Sequence, residues 1–577
     1  MGTRLRGRWL LLGLAVALAA ACRSPETSSG EPEFDLLIVN GTLVDGTGAA
    51  PRRADVGVRG GAIAAVGELA GRGARATVDA AGKVVAPGFI DTHTHCDDGL
   101  RRPGSNANLN YLRQGVTTVV TGNCGSGSFR VAELRDAAEE LGIGTHWVHL
   151  VGFGDVRSAV LGEAARAPTA AELAEMESIL RGALRGGAWG MSTGLEYAPD
   201  SYAGTAEVLA LARVAGEHGG VYASHQRNEF DGVLEATRET IHIAEEAGVR
   251  ALVSHFKACG KDNWGSLREA VAAIAEARAR GVAVYADQYP YDKPSVEPLI
   301  DLRSNGGWSC FRVPDALEPF ASLRAALRDR DLAPEERRKI EERYRQELGL
   351  ALGDGARREA IREAVLAGTA QDPSAVARAG WDSYGIVWSE KYPELMGRVL
   401  SDLAREQGRD GFDLAAELVV QEPGMILTSG VMSPDDLRFA MRQEWLMTSS
   451  DGDAFPPVAP GDPPRVGHPR SFGSQARVLR KFVREEGLLA LEDAVRKMTS
   501  LPASFLGLTD RGAVAEGLQA DLVVFDPDAV RDEATFLDAR RYCSGVEYVV
   551  VGGLVCVEEG EPTGVLNGRF LLSPAAD

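Results

Sequence analysis

Two histidines one residue apart, His93 and His95, close an apolar run, VVAPGFI, and are followed by Cys96, Asp97 and Asp98. Side chains on a strand alternate faces, so the two imidazoles point the same way, two pleats apart, an arrangement suited to one small cation. With 9 histidines in 577 residues a chance His-x-His triplet is rare, so the pair reads as a metal site before it reads as two structural histidines.

Further along the chain, short β-rich runs start apolar and end chemically loaded. Cys124 ends TTVVTGNCG, Glu196 lies in WGMSTGLEY, His225 in GVYASHQRN, His255 and Lys257 in ALVSHFKA, Tyr289 in VAVYADQYPY, and Asp451 in EWLMTSSDGD. Turn chemistry alone would favour Gly, Asn and Asp at such ends, not His and Cys. With VVAPGFIDTHTH and THWVHLVGFG the runs number eight, and helical stretches such as TAEVLALARVAGEH and VLEATRETIHIAEEAG alternate with them. That alternation predicts an α/β fold, a metal-dependent (β/α)8 TIM-like barrel over residues 88–505, whose chemistry gathers where the strands end.

Two β-rich pieces flank the barrel, at 34–87 and 506–577, and predict one small β-sandwich built from both termini, with Asn40-Gly41 and Gly552-Gly553 at hairpins. Between the seventh and eighth strands, the charged stretch around PEERRKIEERYRQELG predicts a helical insertion over about 300–380. Its charges form a solvated face, and its place above the barrel mouth suits a lid.

The formal net charge of −20 argues against a nucleic-acid partner. Arg4, Arg6 and Arg8 precede an apolar run from Trp9 to Ala21 that ends in Ala19-Ala20-Ala21, a signal peptide over residues 1–21 that is too short to span a bilayer. Cys22 and the polar segment after it resemble a bacterial lipoprotein junction. Residues 22–33 are then a tether, Cys22 carries a lipid anchor in the membrane, and the protein faces the periplasm or cell exterior; simple secretion is the alternative. The other six cysteines show no paired spacing, so disulfides do not organise this fold.

The segments GFIDTHTH, GVTTVVTGNCG, MSTGLEYAPDSYAGTAE, GGVYASHQRNE, SHFKACGKDNWG, ADQYPY, SSDG, HPRSFG and GLQADLVVFDP, in this order, resemble the N-acyl-D-amino-acid deacylase (D-aminoacylase) family of the amidohydrolase superfamily. The resemblance spans the chain beyond the tether. It implies a zinc-dependent hydrolase that releases a D-amino acid and a carboxylate from a small N-acyl-D-amino acid. Cys124, His225 and His255 would hold one tightly bound Zn2+, while His93, His95 and the shared Cys124 would form a second, weaker position. No lysine occurs between Lys83 and Lys257, so a carboxylated lysine bridging two metals has no candidate there, and Cys124 is favoured as the bridge over Cys96 and Glu196.

Asp451 would contact the metals and shuttle the proton. Arg470 of HPR, with Tyr289 and Ser295, falls at the family's positions for the substrate carboxylate, and Lys257 supports them. Where the family often has a histidine between two glycines, this chain has Gly152-Phe153-Gly154. His146, His149, His218 and His242 are assigned no ligand role. Competing readings are another amidohydrolase, such as a dipeptidase for peptides with a C-terminal D-residue or a cyclic-amide hydrolase, and a non-catalytic binding lipoprotein. The last would be expected to have lost ligands, and none is missing. The D-side chain, the acyl group and the oligomeric state are not specified by the sequence.

Overall fold

The computed structural model of the chain describes residues 32–302, 309–327, 332–368, 374–459 and 461–576, so the leader and Cys22 lie outside the described residues. Eight barrel strands follow in chain order: β1 (Phe89–Asp91), β2 (Val116–Thr121), β3 (His146–His149, resumed at Val151–Gly152) and β4 (Gly190–Gly194). The second half comprises β5 (Val221–His225), β6 (Arg250–Val253), β7 (Val284–Gln288) and β8 (Leu446–Thr448). Each strand pairs in parallel with the next. Just beyond β8 and β1 the ring closes, where Asp451 N donates to His93 O at 2.8 Å and His95 N donates to Gly452 O at 2.8 Å. A closed barrel has no unpaired edge, and here the closing joint carries His93, His95 and Asp451.

Strands such as β2 (VTTVVT) and β5 (VYASH) are buried at every residue, as befits a parallel sheet whose outer face is covered by helices. The covering helices are amphipathic and locally encoded. Ala170–Arg185, for example, starts at a capping box in which Thr169 Oγ1 accepts from Glu172 N and the Glu172 carboxylate accepts from Thr169 N.

The sandwich has a four-stranded sheet from the N-terminal segment and a seven-stranded sheet that mixes both ends of the chain. The joint between the two ends is the antiparallel pairing of Leu522–Phe525 with Val84–Pro87. Leu36, Ile38, Val56, Val58, Leu522 and Val550 meet between the sheets as their core. Gly552-Gly553 forms the expected two-residue hairpin, with φ of 53° and 85°. Asn40-Gly41 differs from expectation. Asn40 has φ 62°, but the chain leaves one sheet there and enters the other, because Thr42–Leu43 pairs with Arg52–Arg53 and with Val84–Val85 instead of folding back.

The insertion also differs from the expected helical stretch of about 300–380. Its helices, including Pro334–Gly353 and Gly355–Leu366, join Leu400–Glu406 and Gly411–Gln421 around an antiparallel sheet of Val296–Pro298, Ile426–Ser429 and Tyr384–Trp388. Phe320, Tyr344, Leu348 and Phe412 give this unit a core of its own, which Tyr289 and Tyr291 enter from the end of β7. The added strands escape a reading based on helical periodicity because each is only three to five residues long.

One buried carboxylate fastens the sandwich to the barrel floor. Asp521 Oδ1 lies 3.1 Å from His146 Nε2 and accepts from Gly552 N at 2.7 Å, while Oδ2 accepts from Arg511 Nη1 at 2.7 Å. Removing one partner of such a buried network leaves uncompensated polar groups. Asp521→Ala is therefore expected to cost about 3–5 kcal/mol in chemical unfolding, and a loss below about 1 kcal/mol would show that the junction is held by apolar packing alone.

Candidate active site

At the C-terminal mouth of the barrel, Cys124 Sγ lies 3.3 Å from His93 Nε2, 3.5 Å from His255 Nε2 and 3.7 Å from His225 Nδ1. Metal–sulfur and metal–nitrogen bonds of about 2.3 and about 2.0 Å at a tetrahedral angle place sulfur and nitrogen about 3.5 Å apart. The donors therefore already stand at the edge length of a zinc coordination shell. Among the described residues three overlapping groups form: His93-His95-Cys124 and Cys124-His225-His255, with the thiol common to both, and Glu196-His225-Glu229, joined to the second through His225. Burial pushes the Cys124 thiol up, but the charge of His93 and the hydrogen bonds from His225, His255 and His93 outweigh it and hold the group well below the usual thiol range.

The backbone pays for this convergence. Cys124, His255 and Asp451 have φ of 52°, 36° and 52°, a left-handed region that disfavours residues with a Cβ, and only three other non-glycine described residues share it. The turns that end β2, β6 and β8 aim these three side chains inward.

Asp451 faces the cluster from the closing joint, with Oδ1 3.0 Å from His95 Nε2 and 3.5 Å from His93 Nε2. Its other oxygen, Oδ2, accepts from Arg470 Nη1 at 2.8 Å. Arg470 also donates to Pro294 O at 3.0 Å, and its guanidinium carbon lies 5.3 Å from the Tyr289 ring centre. Lys257 Nζ sits 5.9 Å from that same ring, so the tyrosine lies near two cations. The Ser295 hydroxyl is next in sequence to Pro294 but is 3.3 Å from Ser429 Oγ in the insertion.

Lys257 is buried, with Nζ 2.7 Å from Glu229 Oε1, 3.1 Å from His255 O and 2.9 Å from His255 Nδ1. The last contact depends on the tautomer. With Nε2 given to a metal, His255 Nδ1 carries the proton and directs it to Glu229 Oε1 at 2.8 Å. The ammonium of Lys257 then keeps three acceptors, Glu229 Oε1, Glu229 Oε2 at 2.6 Å and His255 O.

The other two bridge candidates lie elsewhere. Cys96 is fully buried with Sγ 4.0 Å from Gly452 O, outside all three groups. The Glu196 carboxylate is 3.2 Å from His225 Nε2, across the imidazole from the Nδ1 that meets Cys124. His146, His149 and His218 bond to Asp521, Thr121 and Val214 O, away from the cluster. Arg157 is structural, bonded to Glu207 and to the carbonyls of Ala164 and Arg166.

Three acids were not singled out from sequence. Glu229 orients His255, Asp287 Oδ2 stands 3.6 Å from His93 Nδ1 while Oδ1 accepts from His255 N at 2.6 Å, and Asp91 accepts from His93 N, Ser450 N and Gln475 Nε2. All three lie in the motif segments SHQRNE, ADQYPY and GFIDTHTH, so a search for carboxylates behind each ligand would have found them.

The model of the Amidohydrolase family matches residues 76–383 and 396–557. D-aminoacylase of Alcaligenes xylosoxydans xylosoxydans is 34% identical over 573 residues, covering 95% of this chain and 100% of that protein. The chain belongs to the amidohydrolase family, within its D-aminoacylase group. Among solved amidohydrolases, N-acyl-D-glutamate deacylase from Bordetella bronchiseptica, complexed with zinc and a phosphonate mimic of the tetrahedral intermediate, aligns with a TM-score of 0.70 at 32% identity, covering 94% of this chain and 100% of that one. A D-aminoacylase described as having a binuclear metal centre, with one-metal activation and second-metal attenuation, also aligns at 0.70 and 32% identity over 94% of this chain and 100% of that one. These amidohydrolase neighbours bear out the expected barrel with a β-sandwich, and a metal cofactor belongs to the fold.

Because the two donor groups share one sulfur, Cys124→Ala is expected to remove most of the bound metal on elemental analysis, whereas Cys96→Ala retains it. Full metal content in the Cys124 variant would rule out the thiolate as the shared ligand.

Proposed function

We propose that this amidohydrolase hydrolyses the amide bond of N-acyl-D-amino acids, releasing a D-amino acid and a carboxylate, with zinc held most tightly by Cys124, His225 and His255. His93, His95 and the shared Cys124 form the second, weaker position. The observation that carries this reading is the placement of Asp451 between the imidazole cluster and the Arg470 guanidinium. A base for the attacking water and a fork for the substrate carboxylate thus stand side by side. When bound, zinc supplies a cation that polarises the scissile carbonyl and lowers the pKa of water from 15.7 to roughly 7.

The chain's own residues do the rest. Asp451 takes a proton from the attacking water and returns it to the departing nitrogen. Arg470, pinned by Pro294 O, keeps Nε and Nη2 for the substrate carboxylate, as a bidentate fork requires. Tyr289 completes that grip, with Lys257 held behind it by both oxygens of Glu229. The acyl amide at the metal and the carboxylate at Arg470 fix two substituents of the α-carbon and the plane between them, so the side chains of the two enantiomers point to opposite sides, where one finds an exit and the other collides.

We also propose export and lipid anchoring through Cys22, on the strength of the Arg-flanked apolar run and small-residue junction before it. Cys22→Ser should then move the protein from membrane to soluble fractions. Unchanged fractionation would count against lipidation.

Turnover of matched N-acetyl-D- and N-acetyl-L-amino acids, with dipeptides and cyclic imides alongside, tests the substrate class. The D-substrates are expected to lead by orders of magnitude in kcat/KM; parity with L-substrates would sink the stereochemical assignment. Asp451→Asn is expected to keep its metal and lose about 10²–10⁴-fold in kcat, since an amide cannot carry the proton. Turnover within a few-fold of the parent would mean that another group shuttles it.

A further inference from the structure

His468, the first residue of HPR, is not accounted for by the chemistry above, yet both of its ring nitrogens are committed. Nε2 donates to Lys293 O at 2.8 Å, and Nδ1 accepts from Arg470 N at 3.1 Å. These two bonds run from opposite edges of one rigid ring, which sets the tautomer. Burial and the nearby Arg470 charge hold the imidazole well below the usual histidine range, so it stays neutral and keeps both roles.

The loop that His468 grips carries Tyr289 at one end and Ser295 at the other. Its two prolines, Pro290 and Pro294, offer no N–H, so the loop is held through its carbonyls. Lys293 O accepts from His468, Pro294 O from Arg470 Nη1 at 3.0 Å, and Pro290 O from Arg477 Nε at 2.8 Å. The imidazole is packed edge-on against Tyr291 at 5.2 Å and Phe536 at 5.0 Å, the latter delivered by the C-terminal segment. A ring with a donor on one edge and an acceptor on the other sets the spacing between the loop and the helix Arg470–Arg477.

We propose that His468 is a positioning residue for substrate recognition, holding the loop with Tyr289 and Ser295 at a fixed distance from Arg470 so that their polar groups close on one carboxylate. The inference rests on the carboxylate reading of Arg470 given above. Loss of the ring's hydrogen bonds leaves Arg470 N and Lys293 O unpaired and lets the loop drift. Asp451 keeps its own contacts to His93 and His95. The defect should thus fall on binding, not on proton transfer.

The test uses the intact metal-loaded enzyme with His468→Phe, which keeps the aromatic packing without either hydrogen bond, and His468→Gln, which restores a donor and an acceptor on a flexible stem. Steady-state kinetics are compared on an N-acetyl-D-amino acid and on its C-terminal amide, with metal content and Tm measured in parallel. His468→Phe is expected to raise KM for the acid at least about tenfold with kcat within about threefold, to leave KM for the amide and the metal content unchanged, and to be largely rescued in His468→Gln. An unchanged KM in His468→Phe, or an equal rise for acid and amide, overturns the proposal. If the parent enzyme hydrolyses no N-acyl-D-amino acid, the functional reading fails on its own. Positioning is then judged by the same acid-to-amide comparison on whichever amide the enzyme does cleave.

Discussion

Cys124, His93, His225 and His255 come from the ends of four different strands, and their donor atoms crowd within hydrogen-bonding distance of one sulfur. Burying a thiolate is costly unless positive or hydrogen-bonding groups surround it. The barrel satisfies that demand by bending its own backbone, with Cys124, His255 and Asp451 all in left-handed conformations. Such residues cost about 1–3 kcal/mol each, a sizeable part of the 5–15 kcal/mol that holds a domain together. The buried strands around the mouth over-determine these turns, which is how strain at three positions around one point persists.

The imidazoles are oriented by a second layer of carboxylates that couples neighbouring strands. Asp287, just inside the end of β7, touches His93 and Thr92 beyond β1, the His255 amide beyond β6 and Ser449 beyond β8. Asp91 joins β1 to the Asp451 turn and to Gln475. Glu229 settles the His255 tautomer and anchors the Lys257 ammonium through both of its oxygens. Charge and geometry at the centre are thus inherited from acids one shell away.

The substrate side of the mouth is assembled differently, from pieces outside the barrel. The insertion encloses Tyr289 and Tyr291 and meets Ser295 through Ser429. The C-terminal segment supplies Phe536 behind His468, and Asp532 pairs with Arg477 and Arg480. The candidate metal donors thus sit on turns at the strand ends, while Tyr289, Ser295 and Arg470 sit on loops and a helix start pinned through backbone carbonyls.

Residue type and local periodicity were enough to read eight strands, the His93–His95 pair and the loaded ends of most strands, while the resemblance to the D-aminoacylase family supplied the grouping of Cys124, His225 and His255 as ligands. Each strand and each loaded end is encoded within about ten residues. The hairpin at Gly552-Gly553 was legible for the same reason, whereas Asn40-Gly41 was not, because which sheet Thr42 joins depends on Val84. Pairings across the chain were equally out of reach: His95 and Asp451 are 356 residues apart, and nothing local to either announces the other. Tertiary structure alone decided that Arg470 leans on Asp451, that Glu229 and Lys257 share His255, and that the insertion closes its own core with three short strands. Those outcomes come from contacts made only after the barrel has closed. The histidines and the cysteine at the strand ends can be read one by one in the sequence, and their mutual geometry exists only in the ring.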